Sequence, residues 1–94
     1  MAEEKNYENK IKAYLKSKGA YFVKYFGCGY TQAGVPDILC CYKGKFIAIE
    51  VKAQKGRVSE LQKYNIEQIQ KAGGIAFVSR PSDFEEFKKM LDKI

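Results

Sequence analysis

Asp37, Glu50 and Lys52 have the types and spacing for one chemistry in particular. Two carboxylates can hold a hard cation such as Mg2+, which takes oxygen ligands at about 2.0–2.1 Å and keeps several waters, so one backbone carbonyl completes an adequate protein share. The Val51 carbonyl, between Glu50 and Lys52, is placed to be that third ligand. A lysine beside such a cation can hold and help deprotonate an attacking water or neutralise a phosphate, while the cation stabilises charge on phosphoryl oxygens. The chain has no histidine, which removes Ser-His and Cys-His catalysis, the His-Glu-x-x-His zinc helix and mixed Cys/His zinc sites. Acid-base work falls to carboxylates, lysine or tyrosine.

Taken singly, Glu-x-Lys on a strand is commonly an ion pair and Pro-Asp commonly starts a turn. Their conjunction depends on the elements that carry them. In Phe46-Ile47-Ala48-Ile49-Glu50-Val51-Lys52 the strand period sends Ile47, Ile49 and Val51 to one face and Glu50 and Lys52 to the other. A strand at about Asp37 to Tyr42 joins a strand at about Lys45 to Ala53 through Lys43-Gly44. If that turn has two residues, Tyr42 pairs with Lys45 and Asp37 falls opposite Glu50. Opposed carboxylates repel unless a positive charge lies between them, and a divalent cation is the natural one. A three-residue loop would instead put the two acids on different faces.

Around this hairpin the pattern predicts a helix from about Asn6 to Lys18 and a strand from Ala20 to Phe26. A Gly-rich loop follows to Pro36. After the hairpin come a helix from about Glu60 to Ala72, a strand from Ile75 to Ser79 and a last helix from about Asp83. Ser59 with Gln62, and Ser82 with Glu85, read as capping boxes. The helix between the Lys45 and Ile75 strands implies that these two run parallel. The expected fold is therefore a single α/β domain over residues 1–94, order α-β-β-β-α-β-α, with a mixed sheet.

The chain of 94 residues carries a formal charge of +6, which favours polyanionic partners such as nucleic acid. No apolar run is long enough to span a bilayer, and the acidic start, Met-Ala-Glu-Glu-Lys-Asn, does not look like a targeting peptide, so a cytoplasmic location is expected. The three cysteines are too poorly spaced for disulfides, and reduced thiols in the core are expected.

Gly34-Val35-Pro36-Asp37, twelve residues, then Glu50-Val51-Lys52, then a helix bearing Gln62, resembles the PD-(D/E)XK nucleases and, more closely, their VRR-type nuclease domain. The resemblance covers most of the chain. It implies a restriction-endonuclease-like fold and a DNA endonuclease using Mg2+, with Mn2+ as a substitute. Asp37, Glu50 and Lys52 would be the catalytic core, with Gln62 beside them and a first-helix acid as helper. Glu8, at the edge of the first apolar stripe, fits that helper role, although an acid near a helix start also suits the helix dipole. Small stand-alone members look like viral or bacterial enzymes that act on branched DNA such as Holliday junctions, often as homodimers. Lys55 and Arg57, just past Lys52, and Tyr30 and Gln32, in the loop before Asp37, are the expected DNA contacts. Lys24 and the lysines of the first helix read as solubility and packing residues. The alternative to an enzyme is a basic nucleic-acid-binding module of the same fold in which the acids and lysine are a structural cluster.

Overall fold

A computed structural model describes residues 2–27 and 32–94. Helix α1 (Ala2–Ser17) leads to strand β1 (Tyr21–Lys24), then β2 (Ile38–Tyr42) and β3 (Lys45–Val51). Helix α2 (Glu60–Lys71), β4 (Ile75–Ser79), a short 3-10 turn (Pro81–Asp83) and helix α3 (Phe84–Asp92) complete the chain. The expected order of elements holds. The sheet runs β1-β2-β3-β4. Its first two pairings are antiparallel and β3 with β4 is parallel, so the sheet is mixed.

The hairpin turn has two residues. Lys43 and Gly44 both adopt positive φ, at 50° and 77°, the backbone whose twist matches that of the strands it joins. Tyr42 pairs with Lys45 and Ile38 with Ile49. Continuing that ladder by one residue sets Asp37 opposite Glu50. Asp37 stands just outside β2, yet its carbonyl still accepts the Tyr25 amide at 2.8 Å.

The two sheet faces are covered unequally. Ile38, Cys40, Ile47, Ile49 and Val51 pack with Tyr7, Ile11 and Leu15 of α1 and Phe87 and Leu91 of α3. This is the main core. On the opposite face α2 covers β3 and β4, which buries Ala48, Glu50 and Ala76. Over β1, β2 and the start of β3 that face is open, and Tyr21, Val23, Cys41 and Phe46 are exposed there.

Three expectations are corrected. Helix α1 begins at Ala2 rather than Asn6, with Glu3 and Glu4 in its first turn, where acids complement the helix dipole. The Ser82–Glu85 capping box does not form. Instead the Arg80 amide donates to Asp83 Oδ2 at 2.9 Å, and Ser82 exchanges hydrogen bonds with Gln54, its amide donating to Gln54 Oε1 at 3.0 Å. Proline at the start favours a tight 3-10 turn that moves the helix start to Phe84. Of the cysteines, Cys40 is buried but Cys41 is exposed, because it points to the face that α2 leaves open; both are free thiols. Cys28 lies outside the described residues. Among the described residues no helix is long and apolar enough to cross a membrane.

Candidate active site

Strand parity aims Glu50 away from the main core, and α2 closes over it, leaving it 2% exposed. A carboxylate buried this deeply needs partners. Gln62 Nε2 donates to Oε2 at 3.0 Å, and Lys52 Nζ approaches the same oxygen at 3.5 Å. Oε1 is buried with no hydrogen-bond partner in the protein. Burial, and then the charge of Asp37 nearby, push the Glu50 carboxyl up to about 7, against a weaker downward pull from Lys52.

Asp37 is fixed at both carboxylate oxygens. Oδ2 accepts the Val51 amide at 2.9 Å, and Oδ1 lies 3.4 Å from Lys24 Nζ. A side chain that accepts from the neighbouring strand's backbone is anchored at that oxygen by the sheet. The same Lys24 Nζ donates to Glu8 Oε1 at 2.8 Å, and Lys12 Nζ lies 2.8 Å from Glu8 Oε2. Lys12 and Glu8 are one helical turn apart, so α1 supplies that ion pair by its own period. Burial alone would raise the Glu8 carboxyl, but Lys12 and Lys24 override it and hold it down at about 2. Lys24 is raised in turn: burial works against its charge, and Glu8 and Asp37 outweigh the burial.

The structure thus brings Asp37, Glu50, Lys52 and Gln62 together, and Glu8 joins them through Lys24. Gln62 holds two jobs at once. Its Oε1 accepts the Ser59 amide at 2.9 Å in the capping box while its Nε2 reaches Glu50. Lys55 and Arg57 are exposed on the loop beyond Lys52, which Arg80 pins by donating to the Gly56 carbonyl at 2.8 Å. Gln32 is exposed but committed to Asn65 by a 2.9 Å hydrogen bond. Tyr30 lies outside the described residues.

Sequence reasoning missed Lys24, Asn65 and Arg80. Only Lys24 carried a usable signal. It shares strand parity with the half-buried Phe22, so a lysine on an inward-facing position was legible from alternation. Asn65 meets Gln32 and Ala33, and Arg80 meets Gly56, across long sequence separations that no local pattern encodes.

These residues suit a hard cation. Among the described residues no three His, Cys, Asp or Glu side chains gather into a metal cluster of their own, so the acidic share is a pair. The orphaned, buried Glu50 Oε1 beside Asp37 is the kind of oxygen that a cation would satisfy.

The VRR-NUC domain model matches residues 4–83. The chain belongs to the VRR-NUC domain family. Its fold is similar to that of Hjc from Archaeoglobus fulgidus, a Holliday junction resolvase from an archaeal hyperthermophile. The TM-score is 0.62 at 22% sequence identity over 81% of this chain and 66% of that one. This VRR-NUC chain therefore spans slightly under two thirds of Hjc, and the likeness is one of fold, the restriction-endonuclease-like arrangement of helices on a mixed sheet. Comparison with curated proteins gave no match.

Proposed function

We propose that this VRR-NUC domain is a metal-dependent DNA endonuclease whose site is Asp37, Glu50, Lys52 and Gln62. The observation that carries the reading is the pair of opposed acids, one of them buried with an unsatisfied oxygen and a carboxyl raised to about 7. A purely structural acid has little reason to be kept in that state. Asp37, Glu50 and the Val51 carbonyl would hold Mg2+, or Mn2+ in its place, while Glu8, paired with Lys12 and Lys24, would act on the site through Lys24. When bound, the cation supplies charge stabilisation at the phosphoryl oxygens and lowers the pKa of a coordinated water.

The protein's own residues do the rest. Gln62 keeps Glu50 in one rotamer. Lys52, 15% exposed at its side chain, holds the attacking water or balances the phosphate charge. Lys24 and Glu8 fix Asp37 from the other side. Exposed Lys55 and Arg57 receive backbone phosphates, with Tyr30 and Gln32 as further contacts.

The likeness to a Holliday junction resolvase supports branched DNA as the substrate class. One chain carries one site, so paired cuts across a junction call for two chains related by a twofold axis. The open apolar sheet face with Tyr21, Val23 and Phe46 supports such a homodimer. A cytoplasmic setting, where free thiols such as Cys40 and Cys41 persist, completes the reading.

Titration of Mg2+ and Mn2+ against matched linear, flapped and four-way DNAs, with cut positions mapped, tests this. Paired symmetric cuts near the branch point are expected. DNA bound tightly but left intact across both metals would reduce the chain to the binding module.

A further inference from the structure

Helix α2 acts on the site at a second point. On the helix turn after Gln62, Asn65 is 7% exposed. Its Nδ2 donates to the Leu61 carbonyl at 2.9 Å and makes a longer contact, 3.4 Å, with the Ala33 carbonyl; its Oδ1 accepts from Gln32 Nε2 at 2.9 Å. Gly34 seats the same loop on the helix. Its φ is +80°, and a Cβ there would lie 2.6 Å from Leu61 Cγ and 2.8 Å from Asn65 Nδ2. Two residues on, Pro36 is fully buried, with φ fixed by its ring. Asp37 follows directly.

Asparagine is a poor interior helix residue, and burying its amide costs free energy unless the amide is used. A leucine would cover the loop as well, but it would not fix the loop's direction. Direction matters because Asp37 lies outside β2, and the segment 32–36 sets how its carboxylate enters the site. We infer that Asn65 is a positioning residue for the carboxylate pair. Through Gln62 and Asn65, one helix sets both acids: Glu50 by a direct hydrogen bond, Asp37 by clamping the segment that delivers it.

The inference rests on the metal site proposed above, so its test reads metal binding as well as cleavage. Free Mn2+ is followed by electron paramagnetic resonance while the full chain is titrated, and cleavage of DNA is measured over the same Mn2+ range. For Asn65→Ala, the Mn2+ concentration at half-binding and at half-maximal cleavage should rise about tenfold, as for other residues that orient metal ligands. The cleavage rate at saturating Mn2+ should stay within about threefold of wild type, since no reacting group is removed. A merely structural role would lower the melting temperature and leave both midpoints in place. Unchanged midpoints in folded Asn65→Ala therefore overturn the inference. If that variant does not fold, Gln32→Ala removes the exposed half of the clamp; a smaller rise in the Mn2+ midpoint for binding, read without DNA so that any DNA contact of Gln32 plays no part, supports the inference, and none overturns it. A wild-type chain that binds no Mn2+ would sink the functional reading together with this one, whereas wild-type binding with unmoved variants would sink this one alone.

Discussion

Glu8 and Glu50 are buried almost equally, at 3% and 2% exposure, yet they lie in opposite electrostatic regions. Glu8, under α1, is flanked by Lys12 and Lys24 and held at about 2. Glu50, under α2, faces Asp37 and a neutral glutamine, has its lysine at 3.5 Å, and is pushed up to about 7. Burial opposes ionisation in both. The difference lies in the partners: two close ammonium groups against one more distant, with a second carboxylate opposing it. A buried acid whose charge is already neutralised holds structure together. A buried acid left short of positive charge is poised to accept some from outside.

The sharpest way to break that division is cleavage. Glu50→Gln should lower the single-turnover cleavage rate by about 100-fold to 1000-fold or more, with DNA affinity, read by fluorescence anisotropy, little changed. Glu8→Gln should lower it by only about 10-fold, because Glu8 acts through Lys24 on Asp37. Equal losses would mean that Glu8 belongs among the groups that hold the cation.

Stability should separate the two in opposite directions. In metal-free protein at pH 8, Glu50→Gln removes a carboxylate that resists ionisation and should stabilise the fold by about 1–2 kcal/mol. Glu8→Gln leaves Lys12 and Lys24 without their shared acid; both are partly solvated, with side chains 27% and 19% exposed, so the loss should be on the order of 1–2 kcal/mol. Urea melts of both variants read these signs, and a stabilising Glu8→Gln would refute the account of that region.

The pH dependence is subtler. The Glu50 carboxyl is raised from 4.5 to about 7, so the folded protein binds its proton more tightly than the unfolded chain does. That contribution to stability is fully present below about 4.5 and is lost as pH rises through about 7. Glu8 is depressed from 4.5 to about 2. Its contribution is present above about 4.5 and is lost as pH falls through about 2. Because a cation needs the ionised carboxylate, Mn2+ affinity should increase as pH rises toward about 7 and flatten above it. Affinity that is flat from pH 5 to 8 would argue that Glu50 is not a ligand.

Much of this was legible in the chain. Alternation in Phe46-Ile47-Ala48-Ile49-Glu50-Val51-Lys52, the two-residue reading of Lys43-Gly44 and the Ser59–Gln62 box gave the hairpin, its register and the placement of α2. These are short-range features with strong steric rules behind them. The fate of Cys41 was not legible, because it depends on how far α2 extends across the sheet. Nor was the start of α3, where the Arg80 amide donates to Asp83 and Ser82 is engaged by Gln54 instead of capping the helix.

The opening trio shows the same division. Residue types, strand period and a two-residue turn at Lys43-Gly44 were enough to say that Asp37, Glu50 and Lys52 could share a site; the turn counts because a one-residue slip would flip every side chain to the other face. Only the tertiary structure decided which acid would be left uncompensated. Lys24 reaches Asp37 and Glu8 from an edge strand, and Gln62 and Asn65 reach across from a helix. The electrostatics of a buried carboxylate depend on whatever lies within a few ångströms of it, and these neighbours come from segments that the chain order keeps apart.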